Sequence, residues 1–328
     1  MVNSEPRRQF RSALTPLLDQ YVELKHACGH RFHGGFAMLL RFDRHLLASG
    51  LTSIELPRDM TREWLAKRVH ERATTHASRV ATVRRFAEYL VRLGYCAYVP
   101  DRRLGPKTSG AAFTPRIFTH EEIHQLLQAV DELEPTSFAP MRHRVMPEVL
   151  RLLYGCGCRV CEVLHLRVED VDLDRGVLKI RGAKFGKDRL VPPATALVQR
   201  LRTYADGLDD RRPEAPFFPG VRDAPWSPGG VYRNFRELLL GCGIPHGGRG
   251  NGPRLHDLRH TFAVHTLLRW YQQGADLDAK LPVLATYLGH CSVEGTQRYL
   301  HLTAELHPEI TRRTNESFGD VIPRRIGP

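Results

Sequence analysis

The sequence predicts a mainly α-helical protein: an all-α first domain, then an α+β second domain holding a small antiparallel β-sheet. Three observations carry this. Helical patterns closed by glycine fill the first hundred residues, one clear β-hairpin stands in the remainder, and a Pro-, Gly- and Arg-rich stretch without periodicity separates the two. A length of 328 residues fits two domains, at roughly 100–200 residues each. The expected division is a helical domain over 1–100, a linker over 101–115, a second domain over 116–305 and a tail over 306–328.

In chain order, "TPLLDQYVELKHACG" and "FAMLLRFDRHLLASG" are helical patterns that stop at Gly29 and Gly50, glycine being the residue that a helix C-cap favours. "TREWLAKRVHERA" is expected to start from Thr61 as N-cap. "HASRVATVRRFAEYLVRLG" places Val83, Phe86, Leu90 and Leu93 on one stripe and Arg79, Arg84, Arg85 and Arg92 off it, so this helix has an apolar side and a basic side. After the linker, Thr119 and Glu122 in "THEEIHQLLQAV" have capping-box spacing. "MPEVLRLLYGCGCRVCEVLHL" reads as one long helical pattern, and "GVLKIRGAKFGKDRLVPP" as two alternating strands around a Gly/Lys turn. The rest is mostly helix, with Pro/Gly-rich loops at 212–230 and 244–253.

A formal charge of +12 points to a polyanionic partner, and its distribution is uneven. Residues 1–113 carry 19 Lys and Arg against 10 Asp and Glu, while residues 114–328 carry 29 against 26. The basic helix face therefore lies in the most basic part of the chain. No apolar run approaches a membrane span and no signal-type stretch opens the chain, so a cytoplasmic protein is the expectation. Seven cysteines argue against a disulfide framework. Cys156, Cys158 and Cys161 in "CGCRVC" lack a second pair at zinc-ligand spacing and read as free thiols. No Walker loop and no paired-carboxylate metal site is visible.

The chemistry-bearing residues are spread over 140 positions. "RLHDLRHTFAVHTLL" puts His256, Arg259 and His260 on one helical face, with Leu255, Leu258 and Phe262 facing elsewhere. A fixed cation beside imidazoles suits a phosphate, although a surface cluster has the same pattern. Arg159 follows a Gly-rich turn with Glu162 three residues on. It reads equally as a surface ion pair and as a guanidinium held by a carboxylate. Tyr299 in "LGHCSVEGTQRYLHLT", taken alone, is an ordinary packing tyrosine.

In order along the chain, "GCRVCEVLHL", "AKFGKDRLVP", "HDLRHTFA", "LGH" and a tyrosine nine residues beyond that histidine resemble the tyrosine recombinases: the phage integrases and their Xer-like and transposon relatives. The resemblance covers about 115–305, and it implies a DNA strand-breaking and rejoining enzyme acting through a 3′-phosphotyrosine. It implies the catalytic set Arg159, Lys184, His256, Arg259, His290 and the nucleophile Tyr299. Lys187 is the competing register for the lysine. Glu162 is implied as an orienter of Arg159, and His260 and His301 as supporting residues. His256 is then a candidate base for the phenol and Lys184 a candidate acid for the leaving 5′-oxygen.

The resemblance further implies specific double-stranded DNA sites, a homotetramer on the synapsed DNA, accessory recombinases, nucleoid association, and no metal, cofactor or membrane. The first domain resembles the family's core-binding domain, whose basic face (Arg79, Arg84, Arg85, Arg92) would meet DNA phosphates. A type IB topoisomerase and a non-catalytic DNA-binding accessory protein are the alternatives.

Overall fold

The computed structural model describes residues 9–30, 32–106, 115–137, 139–182, 188–220, 224–248, 252–290, 292–297 and 299. The chain forms two compact units, residues 1–113 and 114–328.

The first unit holds α1 (Thr15–Ala27), α2 (His33–Ala48), α3 (Arg58–Leu65) and α4 (Ala73–Arg92). Residues at helical spacing supply one core: Leu14, Leu18 and Tyr21, then Leu39, Phe42 and Leu46, then Val83, Phe86 and Leu90. Tyr21 meets Phe86 edge-on at 5.4 Å. The glycine stops hold: Gly29 and Gly50 both take φ +77°, the left-handed geometry that ends a helix without steric cost to glycine.

Three expectations fail here. Thr61 lies inside α3, whose N-cap is Pro57, and its hydroxyl donates back to the Pro57 carbonyl at 2.7 Å. Leu93 follows the last helical residue and is exposed, because the stripe ends with the helix.

The third concerns Arg79, which is not on a solvated basic face. Its side chain is 2% exposed. It donates to the carbonyls of Trp64 and Ala66 and to Glu71 Oε2 (2.8 Å), and it lies over the Trp64 ring. His76 donates to the Leu65 carbonyl at 2.8 Å. Two α4 side chains thus satisfy three of the carbonyls at the end of α3, those of Trp64, Leu65 and Ala66. Arg84 is half-buried and pairs with Glu88 at 2.9 Å, whereas Arg85 and Arg92 are exposed.

In the second unit come α5 (His120–Asp131), α6 (Arg142–Gly155), α7 (Val160–Leu164), β1 (Val171–Asp172), β2 (Val177–Ile180) and β3 (Arg189–Val191). They are followed by α8 (Thr195–Asp206), α9 (Pro228–Gly241), α10 (Leu255–Gln272), α11 (Leu277–Leu288) and α12 (Glu294–Gln297). The capping box at α5 forms as expected: Glu122 N–H donates to Thr119 Oγ1 at 3.1 Å, and Thr119 N–H to Glu122 Oε2 at 3.0 Å. The buried α6 packs against α5, α7, α8 and α10, and Val145, Val149, Leu152 and Leu153 anchor the core.

The long helical pattern breaks at Gly155–Arg159 into α6 and α7. Gly157 sits at φ +58°, and a Cβ there would stand 2.5 Å from Phe262 and 2.7 Å from Leu288. This bend carries Arg159 out of the helix and lets α10 and α11 approach closely. The expected hairpin pairs Leu178 with Val191 and Ile180 with Arg189, and the two-residue β1 adds a third antiparallel strand. That strand is too short to show alternation in sequence. Lys184 and its competitor Lys187 lie outside the described residues, as does His301. Cys156 and Cys158 are buried thiols and Cys161 an exposed one. Burial pushes Cys156 up, and Cys158 to about 12, which makes both poor nucleophiles. Among the described residues no helix is long and apolar enough to cross a membrane.

Breaking the buried Arg79–Glu71 pair leaves an unpaired buried charge, so Arg79→Ala should cost on the order of 3 kcal/mol in urea unfolding. Arg92→Ala, at an exposed position, should stay within about 0.5 kcal/mol of the wild type.

Candidate active site

The site is assembled around the C-terminal end of α11. Gly289 at φ +69° closes the helix, with Gly289 N–H donating to the Thr286 carbonyl at 3.0 Å and His290 N–H to the Ala285 carbonyl at 2.9 Å. This paired pattern satisfies two of the carbonyls that a helix end leaves open. The next three carbonyls each accept from an arginine of a different element. Arg189 Nε reaches Tyr287 O at 3.1 Å, Arg259 Nη2 reaches Leu288 O at 2.7 Å, and Arg159 Nη2 reaches Gly289 O at 3.3 Å. Cations at a helix C-terminus also complement its dipole.

Arg159 is the N-cap of α7 and Glu162 stands at the third helical position. Glu162 Oε2 accepts from the Arg159 backbone N–H at 2.8 Å, and its Oε1 from Arg159 Nη1 at 2.6 Å. The same carboxylate takes a bidentate fork from Arg189, at 2.9 and 2.7 Å. Hydrogen bonds and charge from Arg189 and Arg159 outweigh the burial of Glu162 and hold its carboxyl down to about 2. Arg189 was missed by the sequence reading, although it lies in the quoted "KDRLVP". A strand position facing another element's carboxylate gives no pattern along the chain.

Arg259, on α10, is 1% exposed. Nη1 donates to the Gly157 carbonyl at 2.6 Å and Nη2 to Leu288, while Nε has no hydrogen-bond partner among the described residues. Burial, then the neighbouring Arg159, lowers its pKa to about 10, still well above neutrality. Each of the two arginines is therefore held by backbone and keeps N–H groups for an anion.

Tyr299 is 4% exposed and its hydroxyl lies 3.0 Å from His260 Nδ1. The sequence reading made His256 the candidate base and His260 a supporting residue; the structure brings His260 to the phenol. His256, one turn earlier on α10, stands exposed at the rim and meets the His260 ring edge-on at 4.6 Å. His290 bonds Thr296 Oγ1 through Nδ1 at 2.8 Å, and its ring lies 6.1 Å from that of Tyr299. Desolvation, followed by the surrounding cations and imidazoles, pulls His260 and His290 each down to about 4, so both are neutral at pH 7. Burial raises the Tyr299 pKa, opposed by Arg259 and Arg159. The structure thus brings together Arg159, Glu162, His256, Arg259, His260, His290 and Tyr299. Among the described residues no cluster of His, Cys, Asp or Glu is placed to hold a metal.

A neutral-imidazole, two-guanidinium site around a buried phenol fits an oxyanion that accumulates negative charge, such as a phosphodiester under attack. The Glu162 pair also predicts a pH signature. A carboxyl held at about 2 instead of 4.5 stabilises the fold fully above pH 4.5 and loses that contribution as pH falls toward 2. Glu162→Gln should cost about 3 kcal/mol in urea unfolding at pH 7, narrowing to little by pH 2.

The Phage integrase family profile matches residues 116–305. The chain is 32% identical over 320 residues to y4rB of Sinorhizobium fredii, an integrase/recombinase by name, covering 94% of this chain and 99% of that one. It is 31% identical over 270 residues to the tyrosine recombinase XerD of Pseudomonas aeruginosa, covering 80% and 84%. Among solved structures, a lambda integrase (75–356) dimer bound to a COC′ core site matches with a TM-score of 0.59 at 18% identity, over 87% of this chain and 94% of that one. XerH bound to a palindromic difH substrate matches at 0.59 and 18%, over 86% and 78%. With its mainly helical fold and small three-stranded sheet, the chain belongs to the phage integrase family of tyrosine recombinases, the enzymes of site-specific DNA recombination.

Proposed function

We propose that Tyr299 is the nucleophile of this recombinase and that Arg159 and Arg259 hold the scissile phosphate. The observation that carries this is the buried phenol beside two guanidiniums, each braced on the backbone at the end of α11 with donors to spare. The phenolic oxygen attacks phosphorus, the 5′-oxygen leaves, and the 3′-phosphotyrosine conserves the ester for rejoining. The guanidiniums bind the nonbridging oxygens as their charge grows. His256 and His290 line the same position and donate to it. Lys184, in the family's hairpin, protonates the 5′-oxygen.

The DNA-bound states of the lambda integrase and XerH structures support duplex DNA as the partner. In the first unit Arg84, Arg85, Arg102 and Arg103 line one groove. With Arg92 they form the phosphate-binding face; Arg79, enclosed by α3, does not. Work as a tetramer on paired sites, with accessory recombinases, for a mobile element or for replicon resolution and in company with the nucleoid, completes the reading.

The test is covalent trapping on a pool of random-sequence duplexes, in EDTA and without nucleotide, followed by sequencing of the attached DNA. Wild type should form adducts on a recurrent sequence, and Tyr299→Phe should bind the same DNA but form none. Adducts at wild-type levels from Tyr299→Phe, or a strict need for Mg²⁺ in cleavage, would contradict the mechanism.

A further inference from the structure

We propose that His260, through Nδ1, takes the phenolic proton of Tyr299 as the tyrosine attacks and returns it when the strand is rejoined. This rests on the reading of Tyr299 as nucleophile and moves the role of base from His256, the candidate within the catalytic set, to His260.

Geometry separates the three imidazoles. His260 Nδ1 is 3.0 Å from the Tyr299 hydroxyl, within direct proton-transfer reach. His290 has its Nδ1 committed to Thr296 Oγ1 and lies nearly parallel to the Tyr299 ring, 28° between planes at 6.1 Å. That arrangement stacks the two rings without directing a nitrogen lone pair along the O–H. His256 stands one turn before His260, exposed, with its ring perpendicular to that of His260. Residues four apart on a helix share a face but differ in depth along it. Here the deeper one meets the phenol and the outer one is left for the phosphate.

For the phenol to donate, Nδ1 must carry the lone pair and Nε2 the hydrogen. As the Tyr299 Oη–P bond forms, the P–O5′ bond breaks with its electron pair on the 5′-oxygen, and the Oη proton moves to His260 Nδ1. The 5′-oxygen receives its proton from the separate donor, Lys184. In rejoining, the 5′-hydroxyl attacks phosphorus and returns its proton to Lys184, the P–Oη bond breaks with its electron pair on Oη, and His260 Nδ1 gives its proton back to Oη.

The neighbouring charges make this step conditional. Arg254 and Arg259 face His260 and oppose an imidazolium, with His256, His290 and Tyr299 as further titratable neighbours among the described residues. Without DNA the proton therefore stays on the phenol. A bound phosphodiester anion cancels the local positive field and admits the imidazolium, so deprotonation of the nucleophile follows substrate binding.

Two measurements test this. In ¹⁵N-histidine NMR of the DNA-free protein, His260 should be neutral with hydrogen on Nε2, and its Nδ1 signal should move in Tyr299→Phe. A hydrogen resident on Nδ1 would overturn the proposal. In single-turnover cleavage of the duplex recovered by trapping, His260→Ala and the space-filling His260→Asn should lose about 100-fold or more. Added imidazole should restore His260→Ala, and rising pH should speed both variants more steeply than the wild type. Undiminished cleavage by His260→Asn, or a loss that neither imidazole nor pH relieves, would remove the proposal while leaving Tyr299 as nucleophile. Absence of any adduct from the wild type would remove the nucleophile reading itself.

Discussion

Everything in the second unit that bears on chemistry depends on how the last carbonyls of α11 find their hydrogen bonds. A helix end exposes acceptors that must be satisfied once they are buried. Tyr287, Leu288 and Gly289 are satisfied by Arg189 from β3, Arg259 from α10 and Arg159 from the α6–α7 bend. One short segment thereby aligns three guanidiniums, and the same segment runs directly into His290. The arginines are fixed before any substrate arrives, so little reorganisation is required when charge develops on a bound phosphate.

The arrangement is electrostatically uncomfortable by itself. Glu162 is the carboxylate shared by Arg159 and Arg189, and it leaves the site with excess positive charge. Both the depressed pKa of Arg259 and the neutral histidines follow from that excess together with burial. In the proposed function a phosphodiester supplies the missing negative charge. The first unit uses the same structural device without the chemistry. There, Arg79 and His76 close the end of α3, and Glu71 balances the guanidinium completely. The two differ in their countercharge: Glu71 pairs with Arg79 alone, whereas Glu162 is divided between Arg159 and Arg189.

Much of the fold was legible because it is written in local rules. Glycine stops, the Thr119–Glu122 capping box and the alternation of the hairpin each need only a few adjacent residues. Errors arose where tertiary contacts override the local pattern. Arg79 lies off the apolar stripe of α4, as a solvated residue would, yet the end of α3 covers it. The α6–α7 bend occurs within a continuous helical periodicity because Gly157 lets Phe262 and Leu288 pack against it. In the site, the ordered motifs identified Arg159, His256, Arg259, His290 and Tyr299, all of which converge. Arg189 and the role of His260 could not be read, since both depend on which side chain of a neighbouring element stands opposite. Spacing shows that His256 and His260 share a face, but not which of them reaches the phenol.

The central claim is that the backbone at the end of α11 holds the phosphate-binding arginines ready. A structure of the protein covalently trapped on its DNA through Tyr299 tests this most directly. Arg159 and Arg259 should keep their contacts with the Gly289 and Leu288 carbonyls while their remaining N–H groups bind the phosphate oxygens. Guanidiniums that have left those carbonyls to reach the phosphate would contradict the account.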